Sequence, residues 1–289
     1  MRSLRSVAPS LLILALAACG GAAQSADGNA EPSSATAPTV SAAVSASAAP
    51  ATALSVKPMG TTGAPLGYLE YLPPGYGTVE PAPLLVFLHG AGEAGDGSEE
   101  SMALVDDLGV PQLISDGEWS DEQPFVVLAP QYATRYAEGE CGFGEDLAAF
   151  IDFAVEHYEV DPKRVYLTGV SCGAIGVWDY LASYGDAVVA AVVPISGHAM
   201  WALEKTGCEP LAEVPVWVLN AADDEVIPIH LVEEQVQQIR DCAGAGSVEA
   251  ELTVYPDSDH VGAIGLAYAV SAGNDIYTWL LEHVHEPTE

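Results

Sequence analysis

Short apolar runs recur along this chain, each separated from the next by a stretch of helical periodicity, and that alternation constrains the fold more than any other feature. The runs "LLVFLH" (84–89), "FVVLA" (125–129), "VYLTG" (165–169), "VVAAVVPIS" (188–196) and "VPVWVLN" (214–220) are continuous and rich in β-branched residues. Such runs suit strands buried on both faces. Two further runs, "LGYLEYL" (66–72) and "VEAELTVY" (248–255), alternate and read as strands with a single buried face. Between them, Leu147, Phe150, Ile151, Ala154 and Tyr158 share one helical face, as do Ile229, Val232, Val236 and Ile239. "VDPKR" (160–164) reads as a breaker ahead of "VYLTG", a helix is expected to start after Ser171 and end at Gly185, and a last helix carries Ile276, Trp279 and Leu280, with Asn274 as its cap. Strands alternating with helices predict an α/β fold: a mostly parallel central sheet with helices on both faces.

This pattern starts only near residue 54. Residues 1–18 carry Arg2 and Arg5 ahead of "LLILALAA", which is too short for a stable membrane span and reads as a signal peptide. It ends in "LAAC", which resembles a bacterial lipobox with Cys19 as the lipidated residue. Residues 19–53 are dominated by Ala, Ser, Thr, Pro and Gly and cannot bury enough apolar surface to order themselves. They read as a tether with a reach of roughly 30 Å. The folded domain is then expected over 54–289. The expected location is extracytoplasmic, with the lipid anchor as the one membrane contact.

The charge balance excludes one class of partner. Eight Lys and Arg face 41 Asp and Glu, a net charge of −33. A surface so acidic repels phosphates, so nucleic acid is not a partner. Oligomeric state is not readable from these features.

Within "VYLTGVSCGAIGVW" (165–178), Gly169, Ser171 and Gly173 form G-x-S-x-G between a strand and a helix. That is the setting of a nucleophile elbow, where the serine sits on a sharp turn at the carboxyl end of the sheet. Ser171 is the candidate nucleophile. Cys172 lies one position past the bend, so its backbone N–H is expected to matter and its sulfur is not. A serine hydroxyl needs a base held by a third group. His260 stands in "YPDSDH" after one strand, and Asp223 and Asp224 stand in "NAADDEVIP" after another. The order Ser, Asp, His suits such a sheet. His89 is expected to brace the loop after its strand, and His198 to line the pocket. "FLHGAGEAGDG" (87–97) follows a buried strand and supplies a glycine-rich loop for oxyanion donors, with Ala91 as one donor and Cys172 as the other. No Gly-Lys-Ser/Thr follows, so it is not a phosphate loop. No metal or cofactor is implied.

On these segments, together with "GYLEYLPPGY", "VVLAPQ" and "PVWVLNAADDEVIP", the domain resembles an α/β-hydrolase. It is similar to secreted bacterial esterases related to polyhydroxybutyrate depolymerases, feruloyl esterases and phospholipase/carboxylesterases. The resemblance implies a serine esterase with Ser171, Asp224 and His260 as triad and Ala91 and Cys172 as oxyanion donors. It favours Asp224 over Asp223 because Asp224 fits Asp-x-x-(Val/Ile)-Pro. The sequence departs from the family in two places: Cys172 stands where methionine is commoner, and Ala94 where an arginine is frequent. Two alternatives remain, a prolyl-oligopeptidase-like peptidase and a non-catalytic surface-binding lipoprotein. Loops 94–120, 131–143 and 197–210 are the expected pocket walls, with Trp119, Tyr132, Tyr136, Phe143, His198 and Trp201 as aromatic candidates.

After Cys19, four cysteines remain, which allow three full pairings. Cys208 precedes the strand 214–220 and Cys242 ends the helix that follows it, so both are expected at the amino-end side of the sheet and paired. Cys141 and Cys172 both lie near the carboxyl-end side and could form a second bond.

Overall fold

The computed structural model describes residues 53–78, 80–133, 141, 144–243, 250–270 and 273–286. Residues 1–52, which include Cys19 and the expected signal peptide and nearly all of the expected tether, lie outside the described residues, as do Tyr136 and Phe143. The strands are β1 (Ser55–Lys57), β2 (Tyr68–Tyr71), β3 (Ala82–Leu88), β4 (Val126–Pro130), β5 (Val160–Val170), β6 (Ala191–Ile195), β7 (Val216–Ala221) and β8 (Ala250–Tyr255). They form one sheet in the order β1-β2-β4-β3-β5-β6-β7-β8. β2 runs antiparallel to β1 and β4, and β3 to β8 run parallel.

Both faces of the sheet are covered, which is why its central strands read as continuous apolar runs. Along β3, Leu84, Val86 and Leu88 enter one core with side chains of helices α3 (Gly144–His157), α4 (Cys172–Tyr184) and α6 (Ile229–Ala243). Leu85 and Phe87 enter the other core, with α2 (Gly109–Ser115), α7 (His260–Tyr268) and α8 (Ile276–Leu281). Each such side chain removed from water contributes about 1.5–3 kcal/mol. The shorter helices α1 (Glu99–Met102) and α5 (Met200–Thr206) sit in the loops after β3 and β6.

Two local expectations are corrected. "VDPKR" does not break the chain ahead of β5; the strand runs through it from Val160. The irregularity is a register shift, with Ala82 opposite Val160 and Leu84 opposite Val165. Asp161 stabilises this bulge by accepting from the Lys163 N–H and Arg164 Nε, both at 3.0 Å. At the last helix, Asp275 and not Asn274 is the cap, its carboxylate accepting from Thr278 N at 3.0 Å. Asn274 is buried instead, donating to Ala267 O and accepting from the Tyr255 hydroxyl.

Candidate active site

β5 ends at Val170 and α4 begins at Cys172, leaving Ser171 alone at the bend with φ 52° and ψ −116°. A non-glycine residue there stores about 1–3 kcal/mol of strain. The surroundings hold it in place. Ser171 N–H donates to Ile195 O on β6 at 2.9 Å, and Ser171 O accepts from Ile175 N in the first turn of α4. Gly173 lets that turn press onto the end of β3, since a Cβ there would stand 2.2 Å from Leu88 O. No residue but glycine fits so close an approach.

Two hydrogen bonds link this serine to residues from the two strands beyond β6. His260 Nε2 lies 3.0 Å from Ser171 Oγ, and His260 Nδ1 lies 2.8 Å from Asp224 Oδ2. Asp224 follows β7 and is 5% exposed, which leaves it no solvent to compete for the imidazole. Its other oxygen accepts from the N–H groups of Val226 and Ile227 at 2.9 and 2.7 Å, a turn closed by Pro228. This is the physical content of the Asp-x-x-Ile-Pro pattern. Asp223 is exposed. His260 opens α7, behind the cap made by Asp259 to Gly262 N at 2.8 Å.

Across the serine lies the loop after β3. Ala91 opens a single 3-10 turn, Ala91–Glu93, and packs against Cys172 and Ile175. Neither the Ala91 N–H nor the Cys172 N–H donates to a protein acceptor among the described residues, so both stay available to a ligand oxygen. Cys172 sulfur is tied to Cys141 in a disulfide, and Cys208 is tied to Cys242. The sulfur of Cys172 is thereby withdrawn from nucleophilic chemistry. Cys208, Glu209 and Cys242 cluster tightly, but their two sulfurs form the disulfide and leave no thiolate for a metal.

His89 is fully buried at the end of β3. Its Nε2 accepts from Tyr132 N–H at 3.2 Å, so Nδ1 carries the proton and donates to Gly90 O at 2.6 Å. Burial lowers its pKa to about 4, which keeps it neutral at ordinary pH. Glu93 is pushed in the opposite sense, above the usual carboxylate range, first by burial.

The expected aromatic walls fare unevenly. Trp119 is not in the site. It is buried beneath the sheet's other face against Tyr71 and Tyr277, because it precedes β4 and so sits at the amino end of the sheet. Tyr132 is buried and stacks on His89 with ring centroids 4.2 Å apart. His198 and Trp201 follow β6 and meet edge to face at 5.1 Å, with Trp201 exposed. Burial lowers the His198 pKa. Two buried polar side chains outside the motifs bond to these segments. Ser196, buried with φ 51°, donates from Oγ to His260 O at 3.3 Å. Gln131, buried at the end of β4, bonds to the glycine-rich loop. The only sign of either in the sequence is a polar residue directly following an apolar run.

The sequence profile of the Dienelactone hydrolase family matches residues 125–264, just under half of the chain. A bifunctional acetylxylan esterase/xylanase of Neocallimastix patriciarum is 25% identical over 163 residues, covering 55% of this chain and 22% of that protein. This chain therefore spans only a minor part of that relative's length. Among solved structures, a thermostable esterase superposes with a TM-score of 0.55 at 24% identity, covering 80% of this chain and 62% of that one. An acylaminoacyl peptidase of Pyrococcus horikoshii superposes with a TM-score of 0.51 at 14% identity, covering 78% of this chain and 40% of that one. At such identities the likeness is one of fold, which esterases and peptidases share. With its mostly parallel sheet and its helices on both faces, the chain has the fold of these hydrolases, and residues 125–264 match the Dienelactone hydrolase profile.

Proposed function

We propose that this protein is a serine esterase that hydrolyses carboxylic esters through an acyl-enzyme. The observation that carries this is the unbroken path from Ser171 Oγ through His260 to Asp224, in bonds of 3.0 and 2.8 Å. Ser171 Oγ attacks the ester carbonyl carbon while its proton passes to His260 Nε2. The carbonyl oxygen becomes an oxyanion and accepts from the Ala91 and Cys172 N–H groups, each worth about 3–4 kcal/mol in the transition state. The imidazolium, steadied by Asp224, then protonates the leaving alkoxide as the carbon–oxygen bond breaks. A water molecule attacks the acyl-enzyme by the same route and frees Ser171.

A fluorophosphonate probe tests this directly: it should label Ser171, and Ser171→Ala should abolish both labelling and turnover. An unlabelled Ser171 in folded protein rejects the proposal in favour of a binding role. The likeness to an acetylxylan esterase/xylanase supports including acetylated xylan beside p-nitrophenyl, feruloyl, polyester and peptide-amide substrates. Esters should turn over and the peptide amide should not; the reverse outcome would identify a peptidase.

We also propose that the protein is an extracytoplasmic lipoprotein held by Cys19. The "LAAC" sequence supports this, as do two disulfides, which persist in oxidising compartments. Cys19→Ser should move the protein from the membrane fraction to the soluble one. A membrane-bound variant would rule the anchor out.

A further inference from the structure

The structure assigns Gln131 as the positioning residue of the oxyanion loop: its buried amide pins the far end of the turn that begins with the Ala91 N–H. The assignment rests on the esterase reading, in which Ala91 is a donor. Gln131 has no exposed surface, and burying a primary amide without partners is costly. Here all four of its hydrogen-bonding valences are filled. Oε1 accepts from Gly97 N at 3.0 Å and from Ser101 Oγ at 2.7 Å. Nε2 donates to Glu93 O at 2.9 Å and Ser101 O at 2.8 Å. Exchanging the amide's oxygen and nitrogen would set donor against donor at Gly97, so the orientation is determined by its partners. The loop wraps so closely that a Cβ on Gly95 would stand 1.7 Å from Ser101 Oγ and 2.6 Å from Gln131 Nε2.

The neighbouring residue completes the clamp. Tyr132 N–H donates to His89 Nε2, and His89 Nδ1–H donates to Gly90 O. Gly90 O and Ala91 N–H belong to one planar trans peptide, whose carbonyl and N–H point in opposite directions. Fixing the carbonyl towards His89 therefore turns the Ala91 N–H away from it. Tyr132 O accepts from Gly95 N at 3.1 Å. Residues 131 and 132, at the end of β4, thus hold the Ala91–Glu93 turn at its start through His89 and at its end through the Gln131 amide. The donor is held from behind before substrate arrives, which is what preorganised stabilisation requires.

The test uses Gln131→Met, which keeps volume and removes all four bonds, and the milder Ser101→Ala, which removes one of the four together with the bond that Ser101 Oγ accepts from Asp96 N–H. Each is assayed on p-nitrophenyl acetate, with phenylboronic acid as a mimic of the tetrahedral state. In Gln131→Met, kcat should fall about a hundredfold, as a misplaced group typically costs. The inhibition constant for the boronic acid should rise in parallel, while KM stays within about twofold, because the donor acts in the transition state. Ser101→Ala should show the same pattern at about a tenth of the size. If Gln131→Met does not fold, Ser101→Ala decides alone. Folded variants with unchanged kcat, or with lowered kcat and unchanged boronic acid affinity, overturn the assignment. Fluorophosphonate labelling of Ser171 in the native protein separates the two failures: without it the esterase reading falls, and with it only the role of Gln131 does.

Discussion

Asp223 and Asp224 are chain neighbours with opposite surroundings. Asp224 is buried and bonded on both oxygens, to His260 on one side and to Val226 and Ile227 N–H on the other. Asp223 is exposed, and its backbone N–H bonds to Ser258 O. Losing the acid of a well-studied triad costs about four orders of magnitude in turnover, because the imidazole takes the wrong tautomer. Asp224→Asn should therefore collapse kcat on an activated ester, while Asp223→Asn should change it by less than about tenfold, or 1.4 kcal/mol. Measuring both variants side by side decides which carboxylate serves His260. The local pattern distinguishes them because a carboxylate that accepts from the N–H groups two and three residues on needs a turn there, and Pro228 helps close it. Gln131 and Ser196 carry no such local pattern. Their partners lie in segments distant in the chain, 34 residues away for Gln131 and Gly97, and 64 for Ser196 and His260.

At the scale of elements, the two disulfides separate stability from function. Cys208–Cys242 closes a loop with a sequence separation of 34 residues between the turn before β7 and the end of α6, at the amino end of the sheet. Loop-closure entropy puts its contribution at about 3–4 kcal/mol. The double variant Cys208→Ser/Cys242→Ser should lose about that much in denaturant unfolding and keep its kcat. Cys141–Cys172 instead tethers the residue after Ser171. On the esterase proposal, Cys141→Ser/Cys172→Ser should lower kcat as well as stability, because the bond restrains the backbone whose N–H is the proposed oxyanion donor. Equal kinetic effects from the two pairs would contradict this division. Strand positions were legible because burial on both faces selects continuous apolar runs. The extension of β5 through "VDPKR" was not, since Pro162 and a charged pair are tolerated only because the neighbouring register shifts at Ala82. The position of Trp119 is not legible in the sequence for a related reason. An aromatic residue in a loop has the same local signature at either end of a sheet, and only the strand it feeds decides the end.

For the whole molecule, the net charge of −33 is far from balanced. Among the described residues only four Lys or Arg pair with a carboxylate, Lys57, Lys163, Arg164 and Lys205. The remaining acids repel one another, which destabilises a compact state. Salt shortens the screening length from about 30 Å at 0.01 M to about 3 Å at 1 M. The melting temperature should therefore rise by several degrees between those concentrations of sodium chloride, about 2–4 °C for each kcal/mol relieved. A flat or falling curve by circular dichroism would show that self-repulsion does not limit stability.

The sequence by itself determined the class of fold, the place of Ser171 at a strand-to-helix bend and the chain order of the residues that meet it. These depend on periodicity and on short-range backbone demands: a strand buried on both faces, a bend that only small residues can flank, a turn that closes on its own carboxylate. Tertiary structure alone decided which groups face each other across the sheet. Ser171, Asp224 and His260 leave the ends of three strands separated by dozens of residues and meet because parallel strands bring their carboxyl ends to one edge. The amide of Gln131 bonds to a loop that follows the adjacent β3, and the indole of Trp119 lies at the opposite end. Such contacts follow from strand order and the direction of each connection, and no local segment of the chain carries that information.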